Sequence, residues 1–565
     1  MMQPKKPLTT LPTHEVTNMP PYLGDQDLWA DDLVFREAVI REGGGWAEAH
    51  LAAFGKITGA VETFEKADLA NQHIPEMKAF DRYGMRINQV LYHPAYHDLM
   101  KVAVENEVAS FAWNHEGPGS QVGQAALTYM FNQAEGGVMC PMAMTYAAIP
   151  ALNTTPAIAN EWIPRLLSTT YDSRDIPVEE KAGATMGMFM TEKQGGSDVR
   201  ANTTRAVPVA VETGPGAEYL LTGHKFFCSA PMCDAFLTLA YTDTGLSCFL
   251  VPRWTPAGER NTLFIQRLKD KLGNRSNASS EMEFQNTWGM MVGEDGRGIR
   301  TIIEMVTGTR YYCAASSAAL MRQGLIQALH HTQHRMSFGK KLIDQPLMRN
   351  VLADLALEVE AAITLTLRIG RAMDEAAENK QAAALARIGT AIAKYWVCKR
   401  APGHIGEALE CLGGPGYIEE SMMPRLYREA PLNSIWEGSG NVMCLDMLRA
   451  MHREEAAIPA FLAELQRAEG INTDLDTAIN RVKDELADTD ALELRARRIT
   501  ELMAVTLQGA LLVQHAPDAV ADAFCASRLG PTVTSRTRPR RSENVGFPER
   551  SVRSTRVLRK TPINA

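Results

Sequence analysis

With 565 residues, 45% hydrophobic and 22% charged, the chain has ordinary globular composition and enough length for several packed domains. Its formal net charge of -8 excludes a protein that binds nucleic acid through overall charge. The nine cysteines are scattered, odd in number and free of CxxC pairs, which argues against a disulfide framework or zinc ribbon and suits a reducing cytosol.

The N-terminal stretch MMQPKKPLTTLPTHEV carries two lysines but no apolar core, so a secretory signal is not expected. No apolar run reaches the ~18 residues needed to cross a bilayer. These features read as a soluble cytoplasmic protein. Residues 1–185 are mixed, with helical periodicity: in HDLMKVAVENEVASFAW, Leu99, Val102, Val108 and Ala112 recur at roughly helical spacing. At 186–300 short runs such as EYLLTGHKFF, AFLTLAYT, LSCFLVP and EMEFQ lie between Gly, Pro, Asn and Asp clusters, which predicts an antiparallel β-domain. Helical texture returns at 301–450, where Leu352, Leu355, Val359, Ile363 and Leu367 share one face of a long helix. Pro346, Pro402 and the GGPG at 413–416 mark expected breaks. The order helices, strands, helices implies an α+β chain with segregated layers. Residues 451–530 also read as helical. Beyond them, 531–565 hold nine Arg or Lys against two Glu and few large apolar residues, and should be disordered alone.

Several motifs carry chemistry. In MTEKQGGSDVR (Met190–Arg200), Gly195 and Gly196 allow close backbone approach, and Thr191 and Ser197 can donate to oxygen atoms; a flavin-edge loop and a plain Gly-Gly turn both fit. In GHKFFCS (Gly223–Ser229), strand alternation points Phe227 and Ser229 the same way, so a ring and a hydroxyl could meet a flat cofactor, or the Phe could be core. His330 and His334 stand one helical turn apart, but no third ligand is evident, and no metal is expected. Arg335 and Phe338 in RMSFGKKL could serve a phosphate and an adenine, or cap a helix end. ECLGGPGY ends a helix at Gly413, and its second glycine suggests a close approach. NSIWEGSGN places one carboxylate, Glu437, between Trp436 and the small residues Gly438, Ser439 and Gly440. Abstraction of a thioester α-proton, a poor acid, needs a carboxylate within reach and shielded from bulk water.

In this order the motifs resemble the acyl-CoA dehydrogenase family over roughly residues 90–450, with GEDGRGI and KDKLGNRSNAS adding to the match. REGGGW, TEKQGGSDVRANTTRA and PRLYREAPLNSIWEGSGNVMCLD are closer to its AidB branch of alkylation-response flavoproteins. The resemblance implies an N-terminal helical domain, a middle β-domain, a C-terminal four-helix bundle and, at 451–530, an extra helical domain. It implies FAD, with Met190, Thr191, Glu192, Lys193, Gly195, Gly196, Ser197, Val199, Phe227 and Ser229 beside the flavin. The loop from Ile435 through Trp436, Gly438, Ser439, Gly440 and Asn441 to Leu445 would follow the cofactor. Arg335, Phe338 and Gly414 would come from a partner subunit of a homotetramer, and Glu437 would be the base. Phe227 in place of Trp, Asn277 in place of Ser and Glu410 in place of Gln depart from the family pattern.

The branch also implies binding of double-stranded DNA, with weak acyl-CoA dehydrogenase activity. Residues 451–530 carry eight Arg or Lys against 14 Asp or Glu, so phosphate contacts would need local clusters. Arg449 with Arg453, and Arg495, Arg497 and Arg498, are the candidates; a solvated helical surface is the alternative. The competing function is a metabolic acyl-CoA dehydrogenase or oxidase whose C-terminal extension only supports assembly.

Overall fold

A computed structural model describes residues 7–530, and the basic tail expected at 531–565 lies outside them. Helices Leu33–Arg41, Glu48–Gly59, Val61–Gln72 and Pro94–Glu105 lead into α1 (Ser120–Ala134) and α2 (Met139–Leu152). The latter two are buried on nearly every side, which matches their all-round apolar character. The periodicity read through 97–113 does not give one helix. The chain stops at Glu105, turns through Glu107 in a left-handed conformation (φ 61°), and resumes at Phe111–Asn114.

The strands follow: β1 (Met186–Phe189), β2 (Arg205–Pro208), β3 (Glu218–Ser229), β4 (Ala235–Tyr241), β5 (Leu246–Pro252), β6 (Leu263–Leu268) and β7 (Ser279–Val292). They form one sheet in the order β6-β7-β3-β2-β4-β1, and β5 pairs with both β7 and β4. The sheet is not purely antiparallel as expected: β1 runs parallel to β4, from Met186↔Ala235 to Phe189↔Thr238. The loop and the β2–β3 hairpin between them supply the long connection that parallel neighbours require.

Four long helices complete the bundle: α3 (Gly298–His334), α4 (Pro346–Asp374), α5 (Lys380–Leu412) and α6 (Gly440–Arg453). α3 is a spine of 37 residues that packs on α1, α2, α4 and α5. Pro346 stands at the break between α3 and α4 as the first residue of α4, where the first turn needs no N–H. Pro402 lies inside α5 without ending it. The tertiary packing of α5 on α3, α4 and α6 outweighs one missing hydrogen bond. The GGPG does end α5, with Gly413 at φ 64°.

Helices Ala457–Gln466, Thr473–Ala487, α7 (Leu492–His515) and Asp518–Arg528 follow. Buried ion pairs fasten them to the bundle: Arg368 grips Glu464 through two 2.8 Å bonds, and Arg528 Nε donates to Glu358 Oε1 at 2.8 Å. α7 is thereby held against α4, α5 and α6. No helix among the described residues is long and apolar enough to cross a membrane.

Candidate active site

Glu437 sits in the short approach to α6, with left-handed backbone at Glu437 (φ 56°) and Gly438 (φ 98°). The positive φ at Gly438 favours glycine, and a Cβ there would stand 2.6 Å from Met443 Cε, which would have to move aside. Three consecutive carbonyls of this loop are each held by a cation. Lys394 of α5, fully buried, donates from Nζ to Trp436 O at 2.8 Å and also to Gly438 O. Arg310 of α3 donates from Nε to Glu437 O at 3.0 Å. Arg310 is braced in turn by Asp446 of α6 at 3.0 Å.

The carboxylate of Glu437 accepts the Thr309 hydroxyl at 2.6 Å. Burial pushes its pKa above the ordinary glutamate range, and the Thr309 hydroxyl, Arg310 and Lys394 oppose the rise. Glu437 keeps some exposed surface while protein encloses most of it, the condition of a side chain opening on a cleft. Trp436 is partly buried, its indole N–H donating to Asn433 Oδ1 at 3.0 Å. Ile435 is 63% exposed. Thr309, Arg310 and Lys394 were not singled out from the sequence. The usable signal was a lone lysine inside the apolar run AIAKYWVC of α5.

On the β side, Thr191 pairs with Phe227 across an antiparallel bridge, and Phe226 N donates to Thr191 O at 2.8 Å. The MTEKQGGSD loop is thus laid along GHKFFCS. Phe227 is 46% exposed and Ser229 partly so, flanking the buried Cys228, so the two share a face as alternation requires. Thr191, Met190 and Val199 are partly buried, and Lys193, Gly196 and Ser197 are exposed.

Glu192 does not face a cofactor. Its side chain has no exposed surface, and it pairs with Lys225 Nζ at 3.0 Å. It also takes Thr204 Oγ1 at 2.6 Å and Thr203 N at 2.7 Å. Burial works against its charge, but Lys225 and these donors outweigh it and hold the carboxyl down to about 2. Gly195 is likewise internal. A Cβ there would meet Asn202 Oδ1 and Asp198 O at 2.8 Å, so this glycine closes the loop rather than opening it to a ligand.

Ser229 Oγ lies 3.1 Å from Ser279 Oγ, which accepts from Lys271 Nζ at 3.0 Å. Cys140 of α2 joins the group. Burial pushes its thiol up to about 12, Lys271 and a hydrogen bond with Ser229 oppose this, and the charge of Glu437 adds to it. The α2, β3 and α6 regions therefore converge on one place. Along it, the Thr191 and Ser229 hydroxyls, the open backbone at Gly196 and the Phe227 ring fit a flat ring system with polar edges.

The remaining candidates divide. Phe338 is 95% exposed, and a Cβ on Gly414 would meet nothing within 4 Å, so both face outward. Arg335 turns to the N-terminal segment and donates from Nη1 to Asn18 O at 2.5 Å. His330 contacts Pro21 O at 2.7 Å, and no group of three metal-ligating side chains occurs among the described residues.

Of the basic candidates, Arg449, Arg453, Arg497 and Arg498 are exposed and Arg495 is turned inward. Arg495 is mostly buried and bound to Glu485 Oε2 at 2.6 Å and Asp490 O at 3.0 Å, because the connection into α7 needs those contacts. Arg498 shares Glu485 at 2.7 Å, and Arg449 pairs with Asp446 at 3.0 Å. Arg497 donates to Asn441 Oδ1 at 2.7 Å, while Arg453 is exposed. Ser439 precedes Gly440 at the start of α6 without capping it.

A cavity of about 440 Å³ opens where the sheet meets the start of α3, lined by Arg200, Tyr241, Leu246, Arg297, Ile299 and Arg300. From Arg300 to Thr309 the helix rises about 14 Å at 1.5 Å per residue.

Residues 18–173 match the family model described as the adaptive response protein AidB N-terminal domain. Residues 187–287 match the acyl-CoA dehydrogenase middle domain, and 296–452 its C-terminal domain. The chain is 44% identical to AidB of Escherichia coli (strain K12) over 519 residues, covering 92% of this chain and 94% of that protein. Its structure superposes on Caenorhabditis elegans ACDH-11, solved in complex with C11-CoA, with a TM-score of 0.82 and 26% identity, covering 94% and 98% of the two chains. Butyryl-CoA dehydrogenase from Megasphaera elsdenii, at TM-score 0.55 and 20% identity over 75% of this chain and 99% of its own, shares the fold. The chain belongs to the acyl-CoA dehydrogenase family of FAD oxidoreductases, in its AidB branch.

Proposed function

We propose that this protein oxidises an acyl-CoA thioester between its α and β carbons, with Glu437 as the base. The bound FAD would take the β-hydrogen as hydride. Glu437 takes the α-proton. Its raised pKa makes it a stronger base than a free glutamate, and Thr309 keeps it ionised and aimed. Arg310 and Lys394 fix the loop carbonyls on either side, so the carboxylate does not drift from the reacting carbon. Trp436 helps to exclude water. Arg200, Arg297 and Arg300 suit the phosphates of the CoA nucleotide. The rise of about 14 Å along α3 from Arg300 to Thr309 is one that an extended pantetheine arm covers.

The observation that carries this reading is the enclosed Glu437 carboxylate, bonded to Thr309 on a loop held by two cations. The test is to titrate the flavin-loaded protein with acyl-CoAs of graded chain length, the C11-CoA bound by ACDH-11 among them, and to follow flavin absorbance. Wild type should bleach and Glu437→Gln should not; equal bleaching in both would remove Glu437 from the role.

The outward-facing Phe338 and Gly414 support a second copy of the chain completing the cofactor site within a homotetramer. Nine buried free thiols support a cytoplasmic location. A second ligand, duplex DNA in the response to alkylation, is favoured by the adaptive-response description of the matched N-terminal domain and by the exposed Arg453 and Arg498. Anisotropy of a labelled duplex at two salt concentrations tests it: binding that weakens steeply with salt supports DNA, and none at low salt removes it.

A further inference from the structure

One arginine of the basic cluster is directed at the flavin loop. α7 is fixed against α5, where Trp396 Nε1 donates to Gln508 Oε1 at 3.0 Å between buried side chains. From the first turns of α7, Arg497 reaches across to the start of α6, and its Nε donates to Oδ1 of Asn441 at 2.7 Å. Its Nη2 lies 3.6 Å from the position of a Cβ on Gly440, as does Lys399 Cε, so two cationic side chains flank that glycine. Arg497 lies beyond the match to the family's C-terminal domain, which ends at 452. It therefore belongs to the helices added after the bundle.

The chemistry of the pair is one-sided. A guanidinium only donates, so Asn441 must turn its carbonyl oxygen toward Arg497. Its NH2 group, with two donors, then faces the other way. The first amides of α6 lack intrahelical partners at the same point and add partial positive charge. Lys399 and Arg497 add full charges, and Glu493 and Glu501, each one turn from Arg497, are the acids nearest to it in sequence on α7. Burial lowers the pKa of Lys399, and Arg497 and Lys394 lower it further, the mark of cations crowded together.

We propose that Arg497 is a positioning residue of the flavin site: by holding the Asn441 carbonyl oxygen, it presents the Asn441 NH2 to an anionic oxygen of the FAD diphosphate. This rests on the reading that FAD lies along the loop from Ile435 to Leu445. The added helices then serve the redox site directly. Arg497 acts through Asn441 and does not contact the reacting atoms.

The test is FAD affinity of the apoprotein, followed by quenching of flavin fluorescence, with thermal midpoints measured in parallel. Asn441→Asp discriminates best. The carboxylate would pair with Arg497 more strongly and keep or raise the midpoint, but it offers no donor to the cofactor, so the FAD Kd should rise at least tenfold. Arg497→Met should raise the Kd several-fold, and Arg497→Lys should recover part of the loss. Lys483→Gln, at a surface pair with Glu469, should leave the Kd unchanged. A wild-type Kd in Asn441→Asp would overturn the proposal, as would an unchanged Kd in a folded Arg497→Met. If Arg497→Met does not fold, Asn441→Asp and Arg497→Lys decide. A wild-type chain that takes up no flavin would overturn the flavin reading itself, a result distinct from selective loss in the variants.

Discussion

Thr309 and Glu437, 128 residues apart, are joined by a 2.6 Å hydrogen bond from hydroxyl to carboxylate. Burial raises the pKa of this glutamate and the hydroxyl pulls it back. Thr309→Val removes the pull and leaves the burial. A hydrogen bond to a charged group contributes about 1.5–3 kcal/mol, so the acid limb of flavin reduction should move up by about one to two pH units. As the proposed base, Glu437 would work ionised, so activity at pH 6 should fall while activity near pH 9 is kept. Stopped-flow reduction between pH 5 and 9 checks this; superimposable profiles would mean that Thr309 does not tune the base.

Glu437→Gln should lose reduction by acyl-CoA and gain stability at neutral pH. The folded state raises the glutamate pKa, so the folded chain holds that proton more tightly than the unfolded chain does. Stability from this group is present below the unfolded value and is lost as pH rises through the folded one. The amide has no charge to desolvate. The thermal midpoint of the variant should exceed that of wild type at pH 8, with a smaller gap at pH 5.

Glu192 and Lys225 form an ion pair with no exposed surface on either side chain. Removing one partner strands the other charge, and Glu192→Gln should cost about 3–5 kcal/mol, read as a lower urea midpoint. The double change Glu192→Leu with Lys225→Met should recover most of that loss. A double variant no better than the single one would show that the hydrogen bonds to Thr203 and Thr204 matter more than the charge.

Glu360 of α4 is pushed up to about 7, first by burial and then by the charges of Asp32 and Glu37, with Arg41 opposing. Its stabilising contribution is complete below the unfolded glutamate value of about 4.3 and is lost as pH rises through about 7. Glu360→Gln should melt higher than wild type at pH 8, with a much smaller gap at pH 5. Parallel melting curves at both values would contradict the shift.

Lys394→Met keeps the length of the side chain and removes the donor that holds Trp436 O and Gly438 O. With the Glu437 loop released, turnover should fall by about a hundredfold, the scale expected from a misplacement near 1 Å. The fold should persist, because the rest of α5 packs independently of this contact. A circular dichroism spectrum alongside the kinetics separates the two effects.

The sequence showed the layered order well. Strands predicted from EYLLTGHKFF, AFLTLAYT and LSCFLVP are β3, β4 and β5, and the buried face of α4 follows Leu352, Leu355, Val359, Ile363 and Leu367. Local patterns carry such elements because side-chain period is a local property. Pro402 misled for the complementary reason: what keeps α5 continuous is packing against helices far along the chain. Glu437 was legible as an acid among glycines, but its partners Thr309, Arg310 and Lys394 come from two other helices, and no short motif links them. Glu192 was read with its loop as a flavin contact. Its role depends on Lys225 and Thr204, which only the folded sheet brings beside it.

The left-handed backbone at Glu437 has an evolutionary consequence. Glycine would occupy that conformation at lower cost by roughly 1 kcal/mol and would also remove a buried carboxylate. Thermal selection that ignored chemistry would therefore drive this codon toward glycine, and the side chain persists only where something other than melting temperature is under selection. A library sorted once for heat resistance and once for flavin reduction should part company at this position first.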